Sequence, residues 1–322
     1  EAEFAALREK MDKGISADEL VSRGEYFAAE LMADYLGFDF LDSSLWLKFK
    51  LDGTVDQEAS YENLRRAASG RRVVIPGFYG ALPDGTIKTF SRGGSDITGS
   101  IVAKAVDADL YENWTDVSGV LVADPRIIDN PKTIKVITYR ELRELSYMGA
   151  SVLHEDAIFP VRKAGIPINI RNTNAPEDDG TLIVESTCRQ PEYTITGVAG
   201  KKGFVAINVD KDMMNSEIGF CRKVLQAFEE SGISIEHMPS GIDTMTVFVH
   251  QEEFEGKEQE VLSTIHKLAE PDVIDLEPGL ALIAVVGRGM RSTRGTAGRI
   301  FSALAHVNVN VKMIDQGSSE LN

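Results

Sequence analysis

The spacing of apolar residues along this 322-residue chain changes character once, near its middle. Between Glu19 and Leu36, Leu20, Phe27, Leu31 and Tyr35 recur close to one face of a 3.6-residue period, which predicts a helix. Phe4, Leu7 and Met11 place a shorter amphipathic helix before it. Leu45–Phe49 reads as a strand, Tyr61–Ala68 as a short helix and Arg72–Pro76 as an apolar strand. Asp84-Gly85 marks a hairpin turn. A helix then runs to Val106, a strand covers 109–114, helices 139–148 and 151–164, and a strand 167–171. Alternating helices and strands predict a three-layer αβα domain around a mostly parallel sheet.

After the polar loop at 174–180 the rhythm differs. Strand 204–209, helix 219–231, strands 233–238 and 244–250, helix 259–268 and strand 273–276 form a βαββαβ series, the ferredoxin-like order. Strand 280–286, helix 295–305 and strand 309–314 begin the series again, so a tandem repeat with an incomplete second copy is expected. The expected boundaries are 1–190, 194–270 and 271–322.

Composition narrows the classes. A formal net charge of −16 disfavours nucleic acid as a partner, because phosphates would be repelled. No apolar run is long enough to span a membrane, and the first residues do not read as a signal peptide. Cys188 and Cys221 form neither a disulfide framework nor a metal motif, and read as thiols of a reducing cytoplasm. Both ends look cut from something longer.

The densest chemistry lies in Thr89–Ser100. Gly93-Gly94 permits a tight turn and close approach of a ligand. The helix that follows offers unpaired N–H groups to an anion. Arg92 can grip a carboxylate or phosphate as a fork, and Asp96 can orient an amine, a proton or a metal. A glycine turn with an ordinary helix start fits the same residues equally well when they are taken alone.

Taken with Ser22-Arg23-Gly24-Glu25, Pro76-Gly77-Phe78, Thr115–Val120, Asp124-Pro125-Arg126 and Gly149–His154, the stretch resembles the aspartokinase family. The two C-terminal units resemble ACT domains, which bind amino acids as regulators. The resemblance implies phosphorylation of the L-aspartate side-chain carboxylate by ATP, with Mg²⁺ on the nucleotide, at the entrance to lysine, threonine and methionine synthesis. It assigns Glu25, Arg92 and Ser95 to aspartate, with Arg92 and Asp96 at the reacting groups. It assigns Gly93, Gly94, Thr115, Asp116 and Arg126 to the nucleotide. Met213, Ser216, Ile235 and Glu236 would hold an effector, lysine alone or with threonine, in a homodimer or larger assembly joined through ACT domains. No metal-ligating residues are assigned, and a cytoplasmic location is expected.

Two departures stand out. The family usually opens with a Lys-Phe-Gly-Gly strand whose lysine reaches the transferred phosphate; this chain has none, which leads to the expectation that the polypeptide as it stands is inactive. Many relatives carry lysine where this chain has Ser151; the resemblance implies either weaker ATP binding or a shift of that contact to another residue, with Lys132 as one candidate. The alternatives are a non-catalytic amino-acid sensor and another amino-acid kinase of the same fold.

Overall fold

The computed structural model describes residues 2–149, 153, 155–187, 193–315 and 320–321. Ser151, His154 and Cys188 lie outside the described residues. The chain forms two compact units. The first comprises Glu1–Leu121, Lys132–Arg143 and Ser151–Cys188; the second comprises Val122–Pro131, Glu144–Ala150 and Arg189–Asn322.

In the first unit the helix Ala17–Leu36 starts where Ser16 accepts the Glu19 N–H and stops at Gly37, whose φ of 66° suits glycine. Asp18 fastens its first turn to the strand Ile87–Thr89, accepting from Thr89 Oγ1 at 2.8 Å and Lys88 Nζ at 3.1 Å. That strand pairs antiparallel with Tyr79–Ala81 across the expected Asp84-Gly85 turn. The strand expected at 45–49 forms only in part. Ser43–Trp46 is a helical turn capped by Asp42; beyond it Lys48 bridges to Ala81 of the strand Tyr79–Ala81 and Phe49 bridges to Val55. The cap outcompetes the β propensity of Leu45 and Trp46, and burial then fixes Trp46 and Leu47 in the core with Leu64 and Ile101.

A four-stranded sheet runs Tyr111–Thr115, Ile168–Asn172, Thr181–Val184, Val136–Thr138. Its outer pairs are parallel and its central pair antiparallel. The helices Gly94–Ala105 and Glu155–Ala164 pack together beside it.

In the second unit the sheet order is Ile235–His237, Thr244–His250, Gly197–Asp210, Val273–Val286, Glu320–Leu321. Helices Phe220–Glu230 and Glu258–Ala269 cover one face, giving the ferredoxin-like arrangement. Two strands are longer than expected. Gly197–Asp210 pairs from end to end with Val273–Val286, and the register shifts twice, between Glu277 and Leu280 and between Leu280 and Ala281. The end-halves of this pair, 197–202 and 280–286, carry the second repeat together with helix Thr296–His306. The strand expected at 309–314 does not form: these residues have no regular secondary structure and pair with no strand.

Candidate active site

The helix Gly94–Ala105 begins after Gly93, whose φ is 61°, and no side chain caps it. Its first intrahelical bond is Ile97 N–H to Gly93 C=O, 3.0 Å, so the turn ahead of it presents N–H groups and a positive dipole end. The local sequence explains how this start is held. Thr98 Oγ1 donates to the Gly94 carbonyl at 2.7 Å and accepts the Phe78 N–H at 3.0 Å, tying the loop Pro76–Phe78 to the helix. Gly77 and Gly94 are required by contact. A Cβ on Gly77 would stand 3.0 Å from Ser95 Oγ, and one on Gly94 would stand 2.6 Å from Phe78 Cβ.

Glu25 reaches the same place from the helix Ala17–Leu36, its Oε1 3.4 Å from the Gly77 N–H. Its neighbour Arg23 is spent structurally. That guanidinium donates to Ser22 Oγ and lies 4.5 Å above the Tyr26 ring and 5.5 Å from that of Tyr79. Arg92, by contrast, is exposed and forms no ion pair or hydrogen bond among the described residues. Asp96 accepts from Asn113 Nδ2 at 2.9 Å, which joins the helix start to the strand Tyr111–Thr115. Thr115 ends that strand, on the same side as Asn113, with Asp116 exposed beyond it. Its carbonyl accepts both the N–H and hydroxyl of Thr173. Burial pushes the Tyr111 phenol above its ordinary value, with the nearby Asp96 charge adding to the shift against a hydrogen bond from Asn113.

The structure therefore brings together Glu25, Arg92–Asp96 and Thr115 in one unit. Arg126 stands in the other unit, paired with Asp124 at 2.7 Å. Asn113 and Tyr111 were missed by sequence reasoning. The available signal was period-two placement of Tyr111, Asn113 and Thr115 in a strand, where asparagine is otherwise disfavoured.

The expected effector residues fall into two groups. Met213, left-handed at φ 64° and exposed, is held by Asp243 Oδ1 at 3.0 Å, with Ser216 just beyond it. Ile235 and Glu236 lie near the other end of the sheet, where Ile235 pairs with Val249. Thr244 opposes Asp210 and His250 opposes Phe204, so six strand residues, roughly 20 Å, separate the ends. The Glu236 side chain is only 4% exposed and accepts from Tyr147 Oη, with His250 Nε2 3.2 Å from its other oxygen. Burial, and then Glu236, push Tyr147 up to about 12.

Residues 2–172 match the amino acid kinase family and residues 283–322 match an ACT domain. The chain is 42% identical to aspartokinase 3 of Bacillus subtilis, covering 94% of this chain and 69% of that protein. It is 27% identical to the aspartokinase of Schizosaccharomyces pombe, spanning 64% of that protein's length. The solved aspartate kinase of Clostridium acetobutylicum superposes with a TM-score of 0.89 at 50% identity, covering 98% of this chain and 74% of that one. Aspartokinase III of E. coli, solved with lysine and aspartate, superposes at 0.67 with 26% identity over 94% of this chain and 70% of that one. The same enzyme solved with aspartate and ADP also gives 0.67, at 25% identity over 94% of this chain and 71% of that one.

Proposed function

The chain belongs to the aspartokinases, and from that membership we propose that the uncapped helix start at Gly94, with Arg92 before it and Glu25 beside it, holds L-aspartate for phosphorylation by ATP. The substrate's side-chain carboxylate oxygen attacks the γ-phosphorus. The bond from that phosphorus to the bridging oxygen breaks, and ADP leaves as 4-phospho-L-aspartate forms. The acceptor is already ionised at neutral pH, so no proton has to be removed. Protein residues then serve by positioning and by neutralising charge.

Arg92 supplies a fork for a substrate carboxylate, Glu25 pairs with the ammonium and Ser95 adds a hydroxyl. Asp96 orients the reacting groups. Gly93 and Gly94 admit the phosphoryl group without a Cβ, Thr115 and Asp116 meet the nucleotide, and Arg126 is assigned to its phosphates. Mg²⁺ is assigned to the ATP phosphates. Among the described residues no three His, Cys, Asp or Glu side chains gather to hold a metal.

The observation that supports this reading best is the free Arg92 beside an uncapped helix start. In the complete enzyme, Arg92→Ala should raise the KM for aspartate by about 10- to 100-fold, the worth of a charge-assisted pair of 1.5–3 kcal/mol. Trapping the acyl phosphate with hydroxylamine measures it. An unchanged KM for aspartate would reject the assignment.

For regulation, lysine, alone or with threonine, is the proposed effector, held by Met213, Ser216, Ile235 and Glu236. The roughly 20 Å between the two pairs within one chain exceeds the reach of one amino acid. A homodimer that sets one pair against the other from a second copy satisfies the geometry. An incoming amine must also compete with Tyr147 and His250 for Glu236.

A further inference from the structure

Asp96 precedes the first intrahelical bond of Gly94–Ala105, and nothing about a helix start holds its carboxylate in one orientation. Among the described residues no Lys, Arg or His comes within ion-pair distance of it. Its side chain makes one hydrogen bond, from Asn113 Nδ2 to Oδ1 at 2.9 Å. Asn113 is 9% exposed and points off the strand Tyr111–Thr115. Its amide nitrogen also lies 3.2 Å from Tyr111 Oη. That phenol packs against Gly99: a Cβ there would come within 2.5 Å of it, so the helix carries glycine where the hydroxyl sits. The amide thus sits between the Tyr111 phenol and a carboxylate that has no other partner among the described residues.

We infer that Asn113 is a positioning residue for the phosphoryl transfer, holding Asp96 in its working orientation through a neutral donor. The inference rests on the reading of Asp96 as part of the active site. Neutrality matters. A cation at this position would cancel the charge of Asp96, and a carboxylate would compete with it for a proton. Charged groups on or against this helix include Arg92 and Glu25 at its start, Lys104 and Arg65, which both pair with Asp107 at its far end, and Arg162 and Lys163 in the last turn of the helix Glu155–Ala164 packed beside it.

The test uses three variants of the complete enzyme: N113L, N113D and D96N. N113L removes the donor at similar volume. It should lower kcat by about 10²-fold, the cost of misplacing a reacting group by an ångström, while the KM for ATP changes less than twofold. N113D sets two carboxylates at hydrogen-bond distance, which then share one proton. At low pH the shared proton restores a bond to Asp96. As pH rises both ionise and repel. The kcat of N113D, taken as a ratio to that of the unsubstituted enzyme at each pH, should therefore fall as pH rises between 5 and 8.

A purely structural asparagine would give N113D the same proportional loss at every pH. That result, or N113L turning over within twofold of the unsubstituted enzyme, overturns the inference. If N113L fails to fold, the N113D profile decides. D96N separates the two readings. If D96N retains normal turnover, the role of Asp96 falls and the inference with it. If D96N is impaired while N113L is normal, only the inference falls.

Discussion

Gly94→Ala adds one carbon where the active-site loop is tightest. The new Cβ would stand 2.6 Å from Phe78 Cβ, 2.8 Å from Phe78 Cα and 2.9 Å from Phe90 Cβ. Carbon atoms rest at about 3.5–4.0 Å, so a separation of roughly 1 Å must be made up. Phe78 cannot yield it freely. Its backbone is already left-handed at φ 56°, its N–H is bonded to Thr98 Oγ1, and its carbonyl accepts the Phe90 N–H at 3.0 Å. Overpacking against such a backbone costs about 1–3 kcal/mol of stability. The same displacement moves Gly77 or the Gly93-Gly94 turn out of register with Glu25 and Arg92, which lowers kcat by about 10²-fold. The assay pairs denaturant unfolding with acyl-phosphate trapping on the complete enzyme. Gly85→Ala is the control. Its hairpin position has a φ of 86° but nothing within 4 Å of a Cβ, so about 1 kcal/mol of backbone strain should leave turnover intact. A G94A enzyme with unchanged kcat, or no less stable than G85A, would refute the reasoning.

Asp18 titrates low in the folded chain. Burial pushes it up, but hydrogen bonds from Thr89 and Lys88 and the Lys88 charge outweigh burial. A depressed carboxylate stabilises above its ordinary 3.8 and loses that contribution as pH falls through the folded value. Asp18→Asn should thus be less stable than the parent at pH 7, with the gap closing below 3.8 in unfolding titrations; a gap that persists or widens in acid would contradict the pairing. Tyr147→Phe removes one donor that an effector amine must displace from Glu236. It should lower the lysine concentration for half-inhibition about fivefold, equivalent to one hydrogen bond of about 1 kcal/mol, and an unchanged or raised value counts against the effector assignment. Leu64→Ala empties a fully buried site among Trp46, Leu47 and Ile101, and should cost about 2–5 kcal/mol by chemical denaturation without changing the KM for aspartate.

Much of this was legible in the chain because the signals are local. Periodicity located the helices Ala17–Leu36, Phe220–Glu230 and Glu258–Ala269 to within two residues, since an amphipathic face repeats within one helix. The Asp84-Gly85 turn and the glycine pair at 93–94 were readable because left-handed or crowded backbone requires glycine whatever surrounds it. The order of motifs led to the family. Where local preferences conflicted, the reading faltered. Leu45–Phe49 has strand-like residues but sits behind the Asp42 cap, and 309–314 alternates like a strand without a paired neighbour.

Tertiary structure alone decided who touches whom. Nothing in the order of residues says that Asn113 is the partner of Asp96, that Arg23 is spent on Tyr26 and Tyr79 while Arg92 stays free, or that Glu236 is held by Tyr147 and His250. Most of the elements, the glycine positions and the kinship were legible in the order of residues, because each depends on residues a few positions apart. The site's connections include contacts across 17 positions, as between Asn113 and Asp96, and 89, as between Tyr147 and Glu236, set when helices and strands pack, and a hydrogen bond made at such separation leaves no mark on the spacing of residues.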